Sequence, residues 1–110
     1  MEIIITEYKR VAVVQPKGRV DSATAPELEA ALGRLTNAGK HNLVLDFSQV
    51  EYLSSAGLRV MVATLKAARQ SGGDLCLASP SPRIVEALRL VGVDVLLTVY
   101  DSREAAIGSF

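Results

Sequence analysis

Apolar and polar residues alternate along this chain with two different periods, and the changes of period mark its elements. Ile3 to Tyr8 and Val11 to Gln15 are rich in β-branched residues. Only Lys9-Arg10 separates them, so the two strands pair as an antiparallel hairpin. Pro16 and Gly18 are expected to end the second strand. Thr24-Ala25-Pro26-Glu27 has the spacing of a capping box, and Leu28, Ala31, Leu32 and Leu35 form the apolar stripe of a helix that Gly39 closes. Leu43 to Phe47 reads as a third strand. A second helix runs from Ala56 to about Ser71, with Leu58, Met61, Val62, Leu65 and Ala68 on one face, and Gly72-Gly73 breaks it.

Leu75 to Ala78 is the fourth strand. Ser81 and Pro82 are the N-cap and first residue of a third helix, whose Ile84, Val85, Leu88 and Val91 face inward until Gly92. Val95 to Tyr100 contains a last short strand, and Asp101 or Ser102 caps a final helix, Arg103 to Ile107. Strands alternating with helices require parallel pairing and right-handed crossovers. The expected fold is a single α/β domain over residues 1–110. Its sheet is mixed but mostly parallel, with an N-terminal antiparallel hairpin, and about four helices flank it.

Composition narrows the function. Twelve basic and twelve acidic residues cancel, and the cations are scattered, which argues against nucleic acid. Cys76 is the only cysteine, so neither an internal disulfide nor a thiolate metal cluster can form, and it reads as a buried strand residue. The N-terminus lacks the basic region and cleavage site of a signal peptide, and no apolar run approaches the roughly 18 residues of a membrane helix. A soluble, cytoplasmic chain is expected.

Catalytic chemistry finds little support. The single histidine, His41, sits in a turn entering the third strand, at the opposite end of the sheet from Ser55, and reads as a solvated turn residue. A nucleophile elbow would need glycine at position 53, which is Leu, and neither phosphate-binding glycine loop is present. The carboxylates lack metal-ligand spacing, although Asp21 and Asp46 could approach one another. The chain is read as non-enzymatic, without cofactor or metal.

What remains is Ser54-Ser55-Ala56-Gly57, where the third strand hands over to the second helix. The carboxyl ends of strands are where open α/β sheets carry function. One serine there is accounted for as a helix N-cap. The alternative is a phosphorylatable switch: a helix N-terminus tolerates a phosphoryl group, while a docked partner is repelled by it. On the same helical wheel Val60, Ala63 and Ala67 point outward beside Arg59, either as ordinary surface or as a low-relief docking patch.

These residues resemble a known family. Asp46-x-Ser48-x-Val50-x-x-Leu53-Ser54-Ser55-Ala56-Gly57-Leu58 is similar to the signature of STAS domains, specifically the stand-alone anti-sigma factor antagonists of bacteria, and Gly18-Arg19-Val20-Asp21 matches the family's motif ahead of the first helix. The resemblance covers the whole chain. It implies partner switching: the unphosphorylated domain binds an anti-sigma factor that is also a serine kinase of the ATPase fold. Phosphorylation at Ser55 releases it, and a PP2C-type phosphatase resets the cycle. With the outward residues of the helical wheel added to those of the matched motifs, the expected partner-binding surface is Asp21, Ser54, Ser55, Ala56, Gly57, Arg59, Val60 and Ala63.

The chain departs from the family pattern at one position. Ser54 stands where the family has Asp, which removes a negative charge beside the acceptor and makes Ser54 an alternative phosphorylation site. Two other readings stay open: an adaptor with an output other than a sigma factor, and a small-ligand or nucleotide binder using a cavity near Asp21, Asp46 and Ser55.

Overall fold

The alternating residues of the central strands divide the interior in two. The computed structural model, which describes residues 1–110, has strands β1 (Glu2–Glu7), β2 (Ala12–Val20), β3 (Asn42–Asp46), β4 (Val50–Leu53), β5 (Asp74–Ala78) and β6 (Val99–Tyr100). Helices α1 (Ala25–Asn37), α2 (Ser55–Gln70), α3 (Pro82–Leu90) and α4 (Arg103–Gly108) surround them. Side chains along a strand point to opposite faces with period two. Ala12, Val14, Leu43, Leu45, Leu75 and Leu77 accordingly pack with α1, α2 and α3, while Val13, Val44, Cys76 and Ala78 meet Ala106 of α4 on the other face.

The sheet order is β1-β2-β3-β5-β6, with β4 paired to β2 beyond β3. Only β1–β2 is antiparallel. The expected hairpin and mostly parallel α/β architecture are therefore present. No helix is long and apolar enough to cross a membrane.

Pro16 and Gly18 do not end the second strand, which continues to Val20. β2 is paired with β3 only from Ala12 to Val14, and with β4 only from Gly18 onward. Pro16 falls in the interval between those ladders, where the side of the strand away from β1 asks for no N–H. Gly18, at φ +92, sits where the β2–β4 register shifts, so it is a bulge glycine and not a stop. β4 itself carries no signal in the alternation pattern. Phe47 to Gln49 form a tight turn, with Val50 N–H bonding Phe47 C=O at 3.0 Å, and the chain then re-enters the sheet.

The capping box does not form either. The Thr24 hydroxyl accepts the Asp21 N–H at 2.9 Å and donates back to the Arg19 carbonyl at 2.8 Å. Glu27 instead receives the N-terminal ammonium at 3.1 Å. The apolar stripe of α1 is as expected, with Leu28, Ala31, Leu32 and Leu35 all buried. In α3 Ile84 and Leu88 are buried and Val85 is half-buried, while Val91 turns out to solvent because the helix ends at Leu90. Ser81 and Ser102 cap α3 and α4 through Ile84 N–H and Ala105 N–H. His41 is half-buried at the amino end of β3 and not simply solvated, and its Nδ1 is occluded without a partner.

Asp46, at the end of β3, is the one buried charged side chain, 4% exposed. The Arg103 Nε donates to its Oδ2 at 2.8 Å, and the Ser48 N–H donates to its Oδ1 at 2.9 Å. Burial pushes this carboxyl up, but the Ser48 backbone and hydroxyl bonds and the Arg103 guanidinium outweigh it and hold it below the usual carboxylate range. A folded-state value below the unfolded one means stabilisation that is complete above about pH 4 and is lost as pH falls through the lower value. Arg103→Leu leaves the Asp46 charge buried and unpaired, and is expected to cost about 3 kcal/mol at pH 7. That deficit should shrink as acidification from pH 7 to about pH 3 protonates Asp46, as urea unfolding at several pH values would record. A constant deficit across that range would contradict the assignment.

Candidate functional site

Ser54 and Ser55 lie where β4 runs into α2, and the backbone gives them different work. Ser54 is the N-cap, extended at φ −86 and ψ 170, and its Oγ accepts the Gly57 N–H at 3.2 Å. Its own N–H donates to the Val20 carbonyl at 2.8 Å, which fixes the cap to the end of β2. Ser55 is the first residue of the helix. It is exposed, and its hydroxyl takes part in no hydrogen bond within the chain. A carboxylate at position 54 could accept the same Gly57 N–H, so serine there keeps the cap while changing the charge.

Gly57 sets how α2 meets the sheet. A Cβ at this position would lie 2.6 Å from Val20 Cγ1 and 2.8 Å from Leu53 Cδ1. That close approach rotates the helix so that Gly57, Val60, Met61, Leu65 and Ala68 are its buried residues. Val60, expected on the docking face, is 8% exposed and belongs to the core. Leu58 and Val62, expected inside, are only half-buried, while Arg59 and Ala63 face outward as expected.

Asp21 follows Val20 directly and so lies next to the Ser54 cap. Its Oδ1 accepts the N–H groups of Ala23 and Thr24, each at 3.0 Å. The Thr24 backbone bond first, then its hydroxyl and the Ala23 N–H, outweigh desolvation and draw the carboxyl below its usual range. The charge is therefore fixed at the rim of the site. Arg19, 3.9 Å from Asp21 Oδ2, stacks on Tyr52 with its guanidinium carbon 4.2 Å from the ring centroid. This Arg19–Tyr52 pair is not among the residues that the sequence pattern singles out. The β2–β4 register that places Arg19 against Tyr52 is its only signal.

The structure thus gathers Asp21, Ser54, Ser55, Ala56 and Gly57 at one end of the sheet. It does not bring Asp46 into that group, because Asp46 is committed to Arg103. The hollow beside Ser55 measures about 130 Å³ and is lined mainly by Leu53, Leu58, Ala87 and Leu88. A small-molecule pocket takes about 300 Å³ or more, so this depression suits a protein surface better than a nucleotide. Cys76, with its thiol pushed up to about 11 by burial and then by Asp74, lies on the opposite face as an inert core residue.

The STAS domain family model matches residues 2–106. BtrV of Bordetella bronchiseptica is 34% identical over 110 residues, covering all of this chain and 95% of that protein. The anti-sigma-B factor antagonist of Staphylococcus epidermidis is 33% identical over 91 residues, covering 83% of this chain and 84% of the relative. The crystal structure of an anti-sigma factor antagonist from Mycobacterium paratuberculosis superposes with a TM-score of 0.89 at 29% identity, over 98% of this chain and 92% of that one.

Proposed function

This chain belongs to the STAS domain family, and we propose that it acts as an anti-sigma factor antagonist whose partner binding is switched by phosphorylation of Ser55. The observation that carries this reading is the unequal position of the two serines. Ser54 Oγ is held by the Gly57 N–H, whereas Ser55 presents a free hydroxyl at the first turn of α2. An acceptor must leave its site of bonding to reach a kinase, and only Ser54 has a bond to give up. A phosphoryl group on Ser55 meets the positive end of the α2 dipole and leaves the cap intact. To a partner docked over Asp21, Ser55 and Arg59 it presents about two new negative charges.

In this reading the unphosphorylated protein binds an anti-sigma factor that is also a serine kinase of the ATPase fold. A PP2C-type phosphatase returns it to the binding form, and the cycle runs in the cytoplasm. Val60 has no direct role, since it is buried. The test is intact mass with site mapping of protein from its native cells, for the wild type, Ser55→Ala, Ser54→Ala and Ser54→Asp. One phosphoryl group is expected, absent only from Ser55→Ala. Ser54→Asp keeps a capping side chain and should also be phosphorylated. A modification lost from Ser54→Ala and retained in Ser55→Ala would overturn the assignment.

A further inference from the structure

The rotation that buries Val60 leaves Leu58 and Val62 only half-buried and Ala63 exposed along one edge of α2. Beside it runs an open groove of about 470 Å³, lined by Leu58, Arg59, Val62, Ala63, Lys66 and Val93. Its floor is aliphatic. Its two polar residues are both cations, seven positions apart on α2, and neither is in an ion pair. Of the acids on the surrounding elements, Asp74 is paired with Arg69 and Glu86 with Arg89, Asp21 at the Ser55 end lies 3.9 Å from Arg19, and Asp94 follows Val93 without an ion pair. Leu58 lines both this groove and the hollow beside Ser55, so the two depressions are neighbours along α2. From Ser55 to Lys66 the track is about 16 Å long, or three helical turns. Two further aliphatic residues are exposed, Val91, which lines the hollow beside Ser55, and Val95, at 59% and 83%.

We infer that this groove receives an acidic amphipathic helix of the switching partner, its apolar stripe on Leu58, Val62 and Val93 and two carboxylates one heptad apart on Arg59 and Lys66. The inference rests on the partner-switching reading for the identity of the partner and adds the chemistry of the docked element. Charge complementarity selects the occupant. A basic helix would place like charges against both arginine and lysine, and a second copy of this chain would bring the same cations to face each other. Phosphoserine at position 55 would stand at one end of the track, with the same sign as the incoming helix. The sign of the groove thus makes one modification at its end sufficient to oppose docking along it.

The probe is a synthetic amphipathic peptide of about 12 residues with leucines at helical spacing and glutamates seven apart, against a lysine-substituted counterpart. Amide chemical shifts of the unphosphorylated protein report the binding site. The acidic peptide is expected to move the amides of Leu58 to Lys66 and Val93. Arg59→Glu with Lys66→Glu should weaken it about tenfold or more and should now accept the lysine peptide. Equal binding of both peptides, binding of neither, or concentration-dependent broadening on this face without peptide would each overturn the inference, the last by showing a second copy in the groove. No kinase enters this experiment. It can therefore fail while the Ser55 mapping succeeds, and the reverse.

Discussion

Phosphorylated at Ser55, the protein should lose its partner about 100-fold or more while unfolding at the same or a slightly higher temperature. The two halves of this expectation have separate causes. Affinity falls because a dianion is placed at the edge of a docking surface, where like or unmatched charge costs several kcal/mol. Stability holds because Ser55 is the first residue of α2, so the phosphate faces unpaired N–H groups and the positive end of the helix. That interaction contributes about 0.5–1 kcal/mol in favour of the folded state. Ser54 keeps its bond to Gly57 throughout.

Calorimetric titration of the anti-sigma partner with both forms, beside thermal unfolding of each, separates the halves. Ser55→Ala should bind like the unmodified protein and Ser55→Asp should fall between, since one charge on a short side chain reproduces only a fraction of the effect. Partner release that came with a large drop in melting temperature would mean that phosphorylation works by unfolding α2. Unchanged affinity would remove the switch altogether.

The features legible in the sequence are those decided by neighbours along the chain. Leu28 to Leu35 declares one face of α1 because both its period and its burial repeat every turn. Ser81-Pro82 declares the start of α3 because a cap and a proline act within one turn. That the Ser54-Ser55 pair stands at the start of α2 is a local pattern as well. What could not be read depends on contacts between distant residues. The face that α2 buries is set by Gly57 against Val20, so Val60 enters the core while Leu58 stays only half-buried, against what period alone gives them. β4 has four residues, too few for alternation to register, and exists because β2 extends past β3 to meet it. Pro16 signals a strand end unless one knows that no partner lies beside it. Asp46 finds Arg103 across 57 residues of sequence, which no spacing could announce.

The adjacent glycines that end α2 give the strongest single test of the fold, because they resemble each other in sequence and differ in space. Gly72 lies at φ +82 with open space around its α-carbon, and its N–H and that of Gly73 bond back to Arg69 and Ala68 C=O at 3.2 and 2.8 Å. This is the usual left-handed helix stop. Gly72→Ala meets no neighbour, and the strained backbone should cost about 1–2 kcal/mol. Gly73 has no such φ, but a Cβ there would lie 2.0 Å from the His41 carbonyl oxygen and 2.5 Å from its carbon. That carbonyl cannot step aside freely: it accepts the Asp74 N–H at 3.0 Å, where the β3–β5 ladder begins. Gly73→Ala must therefore push β3 and β5 apart or lose the helix stop, and a cost above about 4 kcal/mol is expected, a large share of the stability of a small domain. Urea unfolding of the two variants should place Gly72→Ala about 1–2 kcal/mol below the wild type and Gly73→Ala far below that or unfolded. Equal losses would mean that both glycines serve only the turn, and that β3 and β5 do not approach as closely as the His41 carbonyl requires.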